Sequence, residues 1–441
     1  METREFCGTS TLRIEFFRSL LDRLSQVAGH ADRIVPMRNY TKGLLLPIER
    51  KSVEPMAARL APANVRQMHQ SLHHIVAEAA WSDSALLREV RRQVLPAMTR
   101  KHPLTAWIVD DTGFPKKGTH SVGVTRQYCG QLGKQENCRV AVSLSLATEQ
   151  ASLPVAYQLY LPEIWAQDPA RRNQAGVPQE IRFQTKPEIA LAQIRSLVEA
   201  DVPCAPVLAD AAYGNDNRFR AGLQQLGLEY AVGIQSSTSV WPPGFAPLPS
   251  KVRGVIGRPP KLLRRDERHQ PLSLKELALC LSPSDLRRVS WREGTRGTMH
   301  SRFAALRVRV AHRDYERSQP RDEQWLLIEW PKAEKGPTQY WLSNLPASSS
   351  VRQLVATAKL RWRIERDYQE LKQELGLGHF EGRNWRGFHH HATLSIAAYG
   401  FLVVERCLFS PASNSPPLRA AGIQLRLPRL PRGAKPRGAA H

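Results

Sequence analysis

Two short apolar runs in this chain end in aspartate. Residues 106–113 read AWIVDDTG, and residues 205–216 read APVLADAAYGND. Each is an apolar strand, an acid at its C-terminal end, and a small-residue turn. That design puts a carboxylate at the edge of a sheet, beside a crevice. Two such carboxylates side by side offer the hard oxygen donors that Mg²⁺ or Mn²⁺ prefers. Taken singly, each is equally an aspartate that caps a turn. The candidates are Asp110 or Asp111 in the first run and Asp210 in the second.

A third acid lies in a helical stretch, RWRIERDYQELKQELG. Arg361, Glu365, Tyr368 and Lys372 are spaced to share one helical face. Leu360, Ile364, Leu371 and Leu375 form an adjacent apolar stripe that seats the helix on a sheet. The polar face therefore carries a carboxylate flanked by cations. The plainer reading of such a face is solvated i, i+4 ion pairs.

Further residues suit contact with phosphates. Lys116 and Lys117 follow the first aspartate run directly. Arg383, Trp385, Arg386 and Phe388 combine cations with flat rings, which suits backbone contact and base stacking; packing on a core is the alternative. Arg258, between Gly257 and Pro259, resembles the centre of a minor-groove hook. His389, His390 and His391 are consecutive, so their side chains point about 100° apart on a helix and do not chelate one ion together. They read as packing or DNA contacts rather than a zinc site.

These residues need a scaffold. The chain has 441 residues and 42% hydrophobic content, enough for a large core and two or three domains. Residues 1–102 read as helical, with Ser82, Asp83 and Ser84 placed to cap a helix. Strand, helix, strand alternation follows over residues 103–229, which implies a mixed α/β core. Residues 230–345 have β texture, with FAALRVRVAHR, QWLLIEWP and TQYWLSNLP as strands. Residues 346–408 return to helix. Residues 409–441 are rich in proline and basic residues, hold no acid, and read as a disordered tail.

The formal charge is +23, from 63 Lys plus Arg against 40 Asp plus Glu, which points to a polyanionic partner bound in a salt-dependent way. The six cysteines form no C-x-x-C pair or framework and read as reduced thiols. The N-terminus lacks a signal layout, and the apolar run near Ala392 to Val404 is shorter than the roughly 20 residues of a bilayer span. The expectation is a soluble, intracellular protein without a membrane.

The helical stretch resembles the signature of DDE, RNase H-like insertion-sequence transposases, Tyr-x-x-Arg-x-x-x-Glu-x-x-x-x-x-x-Lys. Arg361, Glu365 and Lys372 match at the required spacings, and Ala358 stands where the tyrosine belongs. IVDDT and VLADAAYG match the settings of the family's first and second aspartates. One alignment selects Asp110 and another, favoured on the sequence, selects Asp111. The long β-textured segment between Asp210 and Glu365 also suits the family, as does LGLGHFEGRNWRGFHHHATLSIAAYGFL after the helix.

The resemblance implies an RNase H-like α/β core with a β-rich insertion and a helical DNA-binding N-terminal region. It implies a transposase that hydrolyses a phosphodiester, frees a 3′-hydroxyl and transfers that strand. Asp111 or Asp110, Asp210 and Glu365 would hold two Mg²⁺ or Mn²⁺ ions, with Arg361, Tyr368 and Lys372 near DNA. Double-stranded DNA, a homodimer in the DNA complex and a bacterial cytoplasm, at the nucleoid, follow from the same likeness. The rival readings are a nuclease of this fold that only cleaves, and an inactive transposase-derived DNA-binding protein.

Overall fold

The structure is a computed structural model that describes residues 2–251, 261–294 and 297–409. Arg258 and residues 410–441 lie outside the described residues.

Five helices open the chain: α1 (Glu2–Val27), α2 (Ile34–Leu45), α3 (Val53–Leu60), α4 (Val65–His73) and α5 (Asp83–Thr99). Ser82 caps α5 by accepting from the Ala85 backbone N–H at 3.1 Å, as its place in the sequence suggests. Then come β1 (Ala106–Pro115), β2 (Thr125–Cys129), β3 (Lys134–Ala147) and β4 (Ser152–Leu159). Two short helices, α6 (Glu163–Ala166) and α7 (Pro169–Ala175), lead to α8 (Lys186–Val198). A capping box between Thr185 and Glu188 starts α8. Next are β5 (Val207–Ala209), α9 (Ala211–Gly214), α10 (Asn217–Gln225) and β6 (Tyr230–Gly233).

The β-textured segment supplies β7 (Ser239–Trp241), β8 (Leu272–Ser273), α11 (Leu274–Leu279), β9 (Arg287–Gly294), β10 (Gly297–Val310), β11 (Gln324–Glu329) and β12 (Gln339–Ser343). Three helices close the described chain: α12 (Val351–Lys359), α13 (Trp362–Gln373) and α14 (Trp385–Phe409).

The architecture is mixed α/β, as expected, and consistent with an RNase H-like core. A 12-stranded sheet runs β2-β3-β1-β5-β6-β12-β11-β10-β7-β8, with β4 also on β3 and β9 on β10. β1, β5 and β6 are parallel neighbours; β3 is antiparallel to β1 and to β4. The strands of the β-textured segment extend the same sheet, because β12 pairs with β6. The N-terminal helices are not set apart either. One apolar core runs from Leu20 and Leu24 through Trp107 and Leu144 to Ile396 and Val404.

α14 has 25 residues and is apolar enough in length and composition to cross a membrane, longer than the run visible in the sequence. It is apolar all round because protein covers it: α2, α5 and β4 pack on it, and most of its side chains are buried. The three histidines are staples of this helix. His389 accepts from the Leu159 backbone N–H at 3.1 Å, and His390 lies on Trp81 with ring centroids 3.5 Å apart. His391 sits 2.9 Å from both the Tyr40 hydroxyl and the Gly376 carbonyl. The carbonyl only accepts, so Nε2 carries the proton and Nδ1 accepts from Tyr40.

Candidate active site

β1 and β5 run parallel, with Trp107 opposite Val207 and Ile108 opposite Leu208. Continuing that register brings Asp110 level with Asp210. Residues in register on parallel strands face the same side, and successive residues face opposite sides. Asp110 and Asp210 therefore share one face, and Asp111 takes the other.

The contacts on each face agree. Asp110 pairs across the sheet with Ser143, whose hydroxyl lies 2.5 Å from the Tyr368 hydroxyl of α13. Arg361, at the N-terminus of α13, donates to Asp110 Oδ2 at 3.0 Å. On the opposite face Asp111 Oδ2 accepts from Lys186, the first residue of α8, at 2.8 Å. The sequence-based preference for Asp111 beside the other acids is thus corrected by strand parity: Asp110 faces Asp210 and Arg361.

Asp210 caps α9 by accepting from the Ala212 backbone N–H at 2.9 Å. Its backbone is wedged against Gly233 of β6, where an added Cβ would lie 3.0 Å from the Asp210 carbonyl carbon and 2.8 Å from the Ala211 nitrogen. A side chain at Gly233 would push the carboxylate strand-end away, so the glycine sets how closely β6 approaches.

Glu365 lies on the first turn of α13, with its side chain 70% exposed, and meets Arg361 Nη2 at 3.8 Å. Arg361 thus stands among the three acids. Burial works against its charge, but Asp110, Asp210 and Glu365 outweigh that and hold its pKa above the ordinary range. Burial pushes the Asp110 carboxyl up to about 7; Arg361 opposes this, and Asp210 and Asp111 add to it. A carboxyl crowded by other acids binds a proton, or another cation, more readily than one in water.

As they stand, no three His, Cys, Asp or Glu side chains among the described residues are close enough to hold one ion. The donor chemistry nevertheless suits a hard divalent cation. Asp210 follows the end of β5, and Asp110 lies beside it in the middle of β1, which runs on to Pro115 instead of stopping at the aspartates as the sequence suggested; Glu365 is exposed and held through the long contact to Arg361.

The remaining candidates divide. Lys372 donates to the Gly113 carbonyl at 2.9 Å and to Gln131 at 3.0 Å, and burial lowers its pKa to about 8. Lys116 donates to the Phe380 carbonyl at 3.2 Å, and its pKa is also lowered to about 8, by burial first and Arg139 second. Lys117 and Arg383 are exposed; Arg386, also exposed, donates to the Glu78 carbonyl. Tyr368 and Trp385 correct the sequence reading. Both are buried, Tyr368 on Ser143 and Trp385 against His389, where the sequence reading had them in contact with DNA. Helical spacing put Tyr368 with Glu365, but it also lies four residues after Ile364 and three before Leu371, and it turns inward with them, onto Ser143 of β3. Lys186 was missed. Its place in a helix-start motif is legible, but its pairing with Asp111 spans 75 positions.

Residues 20–298 match the profile of the DDE superfamily endonucleases. The chain belongs to that family. Enzymes of this superfamily generally depend on divalent metal. The chain is also similar to a probable transposase for insertion sequence element IS701 from Microchaete diplosiphon, with 32% identity over 196 residues. That stretch is 44% of this chain and spans about half, 47%, of the relative. The family match contains Asp110 and Asp210 and stops before Glu365.

Proposed function

We propose that this chain is a DNA transposase of an insertion sequence, of the branch with the Tyr-Arg-Glu-Lys signature. The observation that carries the reading is Arg361, which bonds Asp110, pairs with Glu365 and feels Asp210. A family endonuclease that gathers three separate acids around one arginine has the groups for phosphodiester cleavage and strand transfer.

In this proposal Asp110, Asp210 and Glu365 hold two divalent cations, Mg²⁺ or Mn²⁺. When bound, such ions activate the attacking oxygen and stabilise the leaving one. The chain's own residues do the rest. Arg361 offers a planar fork to a phosphate oxygen near the cut once its carboxylates turn to a cation. The backbone N–H of Ala212 orients Asp210, and that of Asp111 orients Asp110 Oδ1 at 2.9 Å. Lys117, Arg383 and Arg386 contact the DNA backbone, with Lys116 and Lys372 behind them. Arg258, between Gly257 and Pro259, contributes a further DNA contact. The helical N-terminal region, with exposed Arg59, Arg66, Arg88 and Arg100, binds the element ends. The partners are double-stranded DNA and a second copy of the chain, in the cytoplasm at the nucleoid.

The test is Glu365→Gln with labelled end DNA and Mg²⁺. Cutting and joining vanish while DNA retention in a gel shift stays near wild type. A variant that still cuts removes Glu365 from the site. Wild-type protein that hydrolyses without joining is a nuclease, and one that binds without nicking is an inactive relative.

A further inference from the structure

The hairpin of β2 and β3 projects beside the C-terminal end of α13. Its base is firmly held. Cys129 is fully buried, with its sulfur filling the notch left by Gly113, where an added Cβ would meet it at 2.7 Å. Gln127 donates to the Cys138 carbonyl at 3.0 Å, and Asn137 donates to the carbonyls of Lys116 at 2.8 Å and Gly118 at 3.0 Å.

The turn itself is closed by bonds from the Leu132 and Gly133 backbone N–H groups to the Cys129 carbonyl, with Gly133 at φ +64°. Gln131, at the tip, accepts from Lys372, so the turn is tied to the helix that carries Arg361 and Glu365.

On this anchored frame two large side chains are left uncovered. Tyr128 is 59% and Leu132 43% exposed. Exposing both costs hydrophobic free energy that the hairpin does not recover within the chain. Their surroundings are cationic. Arg126 shares the face of Tyr128, while Lys134, in register with Cys129, takes the other; Arg126 and Lys117 are exposed. Glu136 is the one acid of the hairpin, and Lys134 pairs with it at 3.3 Å. An apolar patch ringed by acids would suit a basic protein; a ring and a leucine among cations suit the flat bases and charged backbone of a nucleic acid.

We propose that the β2–β3 hairpin tip is a DNA contact of the active site, with Tyr128 stacking on a base beside the cut and Arg126 and Lys117 holding flanking phosphates. Leu132 covers the far edge of that base. The tie from Gln131 to Lys372 sets the tip at a fixed height from Glu365, so the stacked base lies in register with the scissile phosphate. This inference rests on the DNA-processing function proposed above.

The experiment uses the full chain and a generic nicked duplex with 2-aminopurine scanned across the nick. Wild type quenches the probe at one position. Tyr128→Phe keeps the quenching, and Tyr128→Ala removes it and weakens binding about tenfold, the size of one base–aromatic stack. Thermal melting is unchanged in both, since the side chain is exposed. Tyr128→Ala with wild-type quenching and affinity overturns the proposal. So does a Tyr128→Ala effect seen only on self-association by analytical ultracentrifugation. If wild type itself neither binds nor nicks the duplex, the function proposed above fails; if wild type does both and Tyr128→Ala matches it, only the hairpin's role fails.

Discussion

Replacing Asp110 by Asn separates stability from activity, and the structure gives the size of the effect. The Asp110 carboxyl has a pKa raised from its ordinary 3.8 to about 7 in the metal-free protein, chiefly by burial. A raised acid pKa means that the folded state holds its proton more tightly than the unfolded state. The fold is therefore unaffected below pH 3.8 and loses stability as pH rises toward 7. At about 1.36 kcal/mol per pKa unit, the cost at pH 8 is about 4 kcal/mol, and at pH 5 it is about 1.7 kcal/mol. Asn carries no charge and avoids that cost. It retains one acceptor where Asp110 serves both the Asp111 N–H and Arg361, so it gives up one hydrogen bond, roughly 1–2 kcal/mol. Asp110→Asn should therefore stabilise the protein by about 2–3 kcal/mol at pH 8 and by about zero at pH 5. Urea unfolding in EDTA at the two pH values measures this, and a nicking assay with Mg²⁺ runs in parallel. Asp110→Asn should lose cleavage. Asp111→Asn, which breaks a partly exposed pair with Lys186, should cut normally and lose no more than about 1 kcal/mol. A destabilised Asp110→Asn protein at pH 8, or one that cuts while Asp111→Asn does not, refutes the strand-parity reasoning.

Two further outcomes follow from the packing. Burial lowers the pKa of His391 to about 4, so the unfolded state gains a proton near pH 6.5 that the folded state refuses. Stability from this group is whole above pH 6.5 and declines as pH falls toward 4, reaching about 2 kcal/mol of loss at pH 5; between pH 7.5 and pH 5 in urea, His391→Gln should lose about that much less than wild type. Gly233→Ala forces the Asp210 backbone to shift, and should cost about 1–3 kcal/mol in urea unfolding and at least tenfold in nicking rate; unchanged nicking would show that the approach of β6 does not position Asp210.

Local chemistry made several elements readable. The apolar runs before the aspartates mark β1 and β5, because β-branched and apolar residues favour buried strands; Asp210 does end β5, but β1 runs on past Asp110 and Asp111 to Pro115, held by its pairing with β3. Ser82 starts α5 and Thr185 starts α8 for the same local reason, a side-chain oxygen that meets a free backbone N–H. Period alone did not tell which helical residues face out. Tyr368 sits on the spacing of Glu365 yet turns inward, and the run around His389, which left packing and DNA contacts both open, is interior packing.

The sequence by itself determined the residue types and their local frames: aspartates within or after apolar strands, a glutamate flanked by Arg361 and Lys372 on a helix, and a strongly basic chain. These depend on neighbours within a few positions. The tertiary structure decided which aspartate faces Asp210 and Arg361, because Asp110 and Asp111 differ only in the face they take. That face is set by pairing β1 with β3 and β5 and by docking α8 on one side and α13 on the other. It also decided that Arg361 stands among Asp110, Asp210 and Glu365, since that meeting joins three segments of the chain whose proximity exists only once the sheet is assembled.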